Sequence, residues 1–118
     1  MKIYVSHASN YDYATQLYKP LKKLLAEYEL FLPHEGDNVM QKAADILPGC
    51  DLLLAEVSHP STGQGIELGI AHMLKTPIIC IYKKDAKPSG SLHYITDQIY
   101  EYSDLTEIKQ HINQIVQK

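Results

Sequence analysis

The sequence contains no arginine: its cationic side chains are eleven lysines. Arginine is the usual bidentate clamp for phosphate, so any phosphate bound here falls to lysines, hydroxyls or backbone N–H groups. Long apolar runs are also absent. None approaches the ~20 residues a membrane-spanning helix requires, so no membrane partner is expected. Net charge is only −3, which argues against binding a nucleic-acid polymer. Cysteine is scarce. Cys50 and Cys80 form neither a CxxC pair nor a disulfide framework, and they read as two reduced thiols of a cytoplasmic protein. Met1-Lys2-Ile3 runs directly into an expected strand, without a signal-peptide pattern. Repeats, low-complexity tracts and interdomain linkers are missing as well, so residues 1–118 read as a single domain.

What is present is a chain of 118 residues, 45% of them hydrophobic, enough for one modest core. Apolar runs alternate with helical spacing. Strands are expected at Lys2–Ser6, Leu30–Pro33, Leu52–Val57, Pro77–Tyr82 and Ile99–Tyr102. Helices are expected at Tyr13–Tyr28, with a kink at Pro20, and at Val39–Leu47, Gln64–Leu74 and Leu105–Val116. Alternation of this kind predicts a doubly wound α/β fold: a parallel sheet of about five strands, flavodoxin-like, in three layers. Right-handed crossovers then gather the loops after each strand on one edge. That edge carries Ser6-His7-Ala8-Ser9, Pro33-His34-Glu35, Ser58–Gln64 and the residues from Lys83 onward. The stretch 83–97 is long for a loop; Pro88-Ser89-Gly90-Ser91 either presents two hydroxyls or is a surface excursion. Asp51, at the opposite edge, reads as structural.

The densest signal is Ser58–Gly69, SHPSTGQGIELG. Glycines 63, 65 and 69 permit close backbone approach, and Glu67 stands near the start of a helix. If that helix begins at Gln64 or Gly65, Glu67 lies in its first turn. It is then either a capping carboxylate or a group held ionised by the helix dipole and ready to attack an electrophilic carbon. The spacing is GxGxxxG, not the GxGxxG of dinucleotide-binding loops.

At these residues the chain resembles the nucleoside 2-deoxyribosyltransferase superfamily, most closely its 2′-deoxynucleoside 5′-phosphate N-hydrolase branch. The likeness rests on AEVSHPSTGQGIELG, supported by IYVS near the N-terminus, Pro33-His34-Glu35 and the serine loop near Ser91. The resemblance implies cleavage of an N-glycosidic bond, by hydrolysis or by deoxyribosyl transfer, on a small nucleoside or nucleotide. It implies Glu67 as the nucleophile that forms a glycosyl-enzyme ester, and Tyr4 as its strand-borne contact. It implies Ser61 as a phosphate ligand, backed by Gly63 and Gly65. Ser91, or Ser89, corresponds to a serine lent by a neighbouring subunit, so a homodimer is implied; no cofactor is.

The departures are specific. His7 and Ala8 stand where the hydrolases carry a serine and an arginine near the phosphate. Ala43 stands where they carry the aspartate that protonates the leaving base; Asp45 is the nearest carboxylate, and His34 or Glu35 are substitutes. IYVSHAS also resembles the opening of TIR domains, some of which cleave NAD and others of which only assemble with partners. A metal site on His7, His34 and His59 is a third reading.

Overall fold

The computed structural model describes residues 1–116. Five strands form one parallel sheet: β1 (Lys2–His7), β2 (Glu29–Phe31), β3 (Leu52–Glu56), β4 (Ile78–Lys83) and β5 (Ile99–Tyr102), in the order β2-β1-β3-β4-β5. This is the flavodoxin-like order, and its switch point lies between β1 and β3. The strand expectations hold within about two residues. β5 has the predicted bounds, and β2 is shifted to end at Phe31.

Period-two alternation along β1 assigns each residue to a layer. Ile3 and Val5 join Leu17, Leu21, Leu25, Leu52, Leu54, Ile108 and Ile112 in one core. Tyr4 joins Phe31, Leu53, Ala55, Leu68 and Cys80 in the other. The first face is covered by α1 (Lys19–Leu24) and α4 (Lys109–Val116), the second by α2 (Ala43–Ile46) and α3 (Thr62–Met73). Cys50 and Cys80 are free thiols, and burial pushes the Cys80 thiol up to about 12. Asp51 accepts a hydrogen bond from the Lys2 N–H at 2.8 Å, a structural role at the edge away from the loops. No helix among the described residues is long and apolar enough to cross a membrane.

The helices depart from the sequence reading in three places. The helix expected at Tyr13–Tyr28 is a π-helical turn, Ala14–Tyr18, running into α1. The Lys19 N–H reaches back to the Ala14 carbonyl, so the wider turn comes immediately before Pro20, which has no N–H to give. The helix expected at Val39–Leu47 is broken. Gly36–Met40 and Leu47–Gly49 are 3₁₀ turns around the short α2, because Gln41 and Lys42 are extended. Val39 and Met40 are exposed, so their apolar character signals no buried face. The C-terminal helix begins as a 3₁₀ turn at Leu105–Ile108 before α4.

Candidate active site

α3 begins at Thr62, two residues earlier than expected, with Ser61 as its N-cap: the Ser61 hydroxyl accepts from the Gln64 N–H at 3.3 Å. Glu67 is therefore the sixth helical residue, beyond the first turn, and it is not a cap. The capping alternative for Glu67 falls to Ser61.

The half-buried Glu67 faces β1 instead. The Tyr4 hydroxyl donates to Oε2 at 2.5 Å and the Ser6 hydroxyl donates to Oε1 at 2.7 Å. Tyr4 and Ser6 share a strand face because they are two residues apart, and Phe31 of β2 stacks on the Tyr4 ring at 5.2 Å. Burial raises the Glu67 pKa above the ordinary carboxylate value; the two donated hydrogen bonds and nearby His34 partly oppose that. The expectation that the helix dipole holds Glu67 low is corrected, because desolvation outweighs it. Burial and the bond to Glu67 raise the Tyr4 pKa far above its ordinary value, so the phenol keeps its proton and acts as a donor.

Gln64, four per cent exposed, fixes the helix against the sheet. Its side-chain amide donates to the Ser6 carbonyl at 3.2 Å and to the Glu56 carbonyl at 2.8 Å. It bridges β1 and β3 where the two strands end. Ser6 thus meets α3 twice, through its carbonyl to Gln64 and through its hydroxyl to Glu67. Neither Gln64 nor Ser6 was singled out from sequence. The signal was available for Ser6, which shares a face with Tyr4, but Gln64 reads as an ordinary polar helix residue.

On the other face of the sheet, β3 ends in Glu56, three per cent exposed. It accepts from the Ser58 N–H at 2.6 Å, the Ser58 hydroxyl at 3.0 Å and the Tyr102 hydroxyl. Ser58 in turn accepts from the Lys83 N–H at 2.8 Å. The Tyr11 hydroxyl is buried nearby and has no hydrogen-bond partner among the described residues.

The remaining sequence candidates separate into groups. Ser61, Gly65 and Ser91 line one cleft of about 470 Å³ with Ser89, Thr62 and Leu92. Ser91 does so from the same chain as Ser61. Glu67 is not on its wall, to which α3 contributes Thr62, Gln64, Gly65, Leu68 and Gly69. Gly63 lies one turn before Glu67, and a Cβ at Gly63 or Gly65 would meet nothing within 4 Å. His7 is buried, with Nδ1 donating to the Ala8 carbonyl at 2.7 Å and Nε2 accepting from the Tyr18 hydroxyl at 2.5 Å. Burial lowers its pKa, which keeps the ring neutral. His34 is exposed, with its ring 5.0 Å from His7 and 5.3 Å from Tyr13. Asp45 is exposed on α2, and its carboxylate makes no hydrogen bond or ion pair among the described residues. No group of three His, Cys, Asp or Glu side chains among the described residues is arranged to hold a metal ion.

A parallel five-stranded sheet of flavodoxin-like order carries a tyrosine- and serine-held carboxylate beside its switch point, which places the chain among doubly wound α/β domains. In sequence the chain is similar to proteins named as deoxynucleoside 5′-phosphate N-hydrolases. A provisionally named 2′-deoxynucleoside 5′-phosphate N-hydrolase 1 of Methanosarcina barkeri is 29% identical over 83 residues, covering 68% of this chain and 52% of that protein. The 5-hydroxymethyl-dUMP N-hydrolase of Rattus norvegicus is 35% identical over 65 residues, covering 55% and 36%. The chain thus spans about half or less of the length of these curated relatives. The solved CMP N-glycosidase BcmB of Clostridium botulinum superposes with a TM-score of 0.68 over 97% of this chain and 98% of that one, at 21% identity, a likeness of fold. No family model matches.

Proposed function

We propose that this chain cleaves the N-glycosidic bond of a 2′-deoxynucleoside 5′-monophosphate, with Glu67 as nucleophile. The observation that carries this reading is the pair of hydrogen bonds from Tyr4 and Ser6 to the two oxygens of Glu67. A carboxylate aimed by two donors and still half exposed is suited to attack an anomeric carbon with oxocarbenium character. Tyr4 orients it and, with its raised pKa, keeps its own proton and remains a donor to it. The glycosyl ester on Glu67 is then resolved by water, or by a second base if the protein is a transferase.

The 5′-phosphate is assigned to the cleft at the start of α3. Ser61, Ser89 and Ser91 supply hydroxyls there, at the N-terminal end of α3, where the helix dipole favours an anion. This arrangement suits a chain without arginine. His7 shapes the β1 loop beside the sugar, and Asp45 belongs to the leaving-group side only if α2 moves. The homodimer is part of the same reading. It is supported by the exposed apolar side chains of Ile66 and Met73 on α3. A cytoplasmic setting fits the two free thiols.

The test is to incubate the protein with each deoxynucleoside and deoxynucleoside monophosphate and to measure free base by chromatography. Base release from a monophosphate, lost in Glu67→Ala, is the expected result. No release from any of them overturns the reading. Release from NAD alone favours the TIR-like alternative, and a new nucleoside formed from an added base identifies a transferase.

A further inference from the structure

Cleaving a glycosidic bond leaves an electron pair on the base nitrogen, and a general acid that protonates it lowers the barrier. The groups near Glu67 are few, and most are committed. Glu35 is ion-paired with Lys22 at 2.5 Å. Both ring nitrogens of His7 are engaged, by Ala8 and Tyr18. Tyr4 already directs its proton to Glu67. The His59 ring packs on Tyr11, 4.7 Å away, and lines the serine cleft. Asp45 is exposed on α2 and, unlike His34, is not among the groups whose charge acts on Glu67.

His34 is different. It follows β2, the strand paired with β1, three residues beyond Phe31, whose register partner is Tyr4. The His34 N–H donates to the Tyr18 hydroxyl at 3.1 Å, and that hydroxyl donates to His7. This chain of bonds ties the loop after β2 to the end of β1. The His34 ring packs against His7 and Tyr13, and its nitrogens make no hydrogen bond among the described residues. It is exposed on the edge that Glu67 faces, and its proximity favours the ionised form of Glu67.

We infer that His34 is the general acid that protonates the departing base, in the reaction proposed above and resting on that reading. In the first step a Glu67 oxygen bonds to the anomeric carbon and the carbon–nitrogen bond breaks. Its electron pair passes to the base, which takes a proton from the His34 imidazolium. In the second step water attacks the same carbon, the ester bond returns its pair to Glu67, and the neutral His34 ring accepts the proton from water. The groups facing His34 are His7 at the end of β1, Tyr13 and Tyr18 from the segment that follows it, Glu67 from α3, and Glu35 on its own loop, ion-paired with Lys22 of α1.

The experiment compares wild type, His34→Ala, His34→Gln and Glu67→Ala on two substrates that share the accepted base. One is the ordinary monophosphate. The other carries an activated leaving group that departs without protonation, N7-methylguanine for a purine or 5-nitrouracil for a pyrimidine. Both His34 variants are expected to lose about 100-fold or more in kcat/KM on the ordinary substrate. They should lose less than about threefold on the activated one, with added imidazole restoring part of the His34→Ala loss. Glu67→Ala should fail on both. Equal losses on the two substrates, or no loss on either, overturn the role of His34 while leaving the glycosidase reading intact. A wild-type protein that releases base from neither overturns both.

Discussion

Two glutamates sit at the same edge of the sheet, each held by a tyrosine and a serine, one on either face. Glu56 ends β3 on the α1 and α4 side and accepts three donors, two of them from Ser58, while almost fully buried. Glu67 lies on α3 and accepts two, while half exposed. The difference shows how surroundings divide similar parts between structure and chemistry. A carboxylate that accepts three donors and is sealed from solvent becomes a fastener, here joining the loop after β3 to β5. A carboxylate with one donor per oxygen keeps a lone pair free and a path to solvent. Neither has a cationic partner among the described residues. The cost of burial therefore falls on hydrogen bonds rather than ion pairs.

The sharpest way to break this comparison is to exchange the consequences of the two mutations. Glu67→Gln should reduce base release by about 1,000-fold or more, with the protein still folded by circular dichroism. Glu56→Ala should do the reverse. It strands the Tyr102 and Ser58 donors, and the expected loss is about 3 kcal/mol of stability in denaturant unfolding. If Glu56→Ala melts normally and Glu67→Gln unfolds, the division of roles is wrong. Next in size, Tyr4→Phe should lower kcat by about 10- to 100-fold.

The pH profile sharpens the same contrast. A Glu67 acting as the proposed nucleophile attacks only when ionised, and burial raises its pKa, so under that proposal the acid limb of kcat/KM should lie above the ordinary carboxylate range. The Tyr4 bond lowers that pKa, so Tyr4→Phe should move the limb to still higher pH; a shift downward would contradict the geometry. The raised value also fixes a sign for stability. The contribution of Glu67 is fully present below its unfolded pKa and is lost as pH rises through the folded one. Glu67→Gln should therefore lose less stability near neutrality than in acid. The smallest expected effect is at Gly65→Ala. A Cβ there meets open space, so the helix should gain about 0.5–1 kcal/mol, while binding of the monophosphate weakens if the cleft holds its phosphate.

Much of this frame was legible in sequence because period-two and helical spacing are strong where burial is strong. β3 and β4 are apolar up to their final charged residues, Glu56 and Lys83, and their bounds match the sequence reading within a residue. The segment 36–49 was misread because Val39 and Met40 look like core residues and are exposed; apolar spacing cannot show that Gln41 and Lys42 are extended. In the site, Tyr4 and Glu67 were identifiable through the resemblance. The pairing of Ser6 with Glu67 depends on which way α3 faces, a tertiary property. The burial of Glu56 was hidden for the same reason, since a glutamate at a strand end ordinarily meets water.

The Gln64 amide gives this layout a practical corollary. Because one side chain grips two strand ends, the direction in which Glu67 points is set by the sheet and not by the loops around it. Residues 84–91 and the tip at His59-Pro60 are then free to be rewritten for a different base or a bare sugar without misaligning Glu67. Redesign of selectivity should begin in those loops and leave Gln64 untouched.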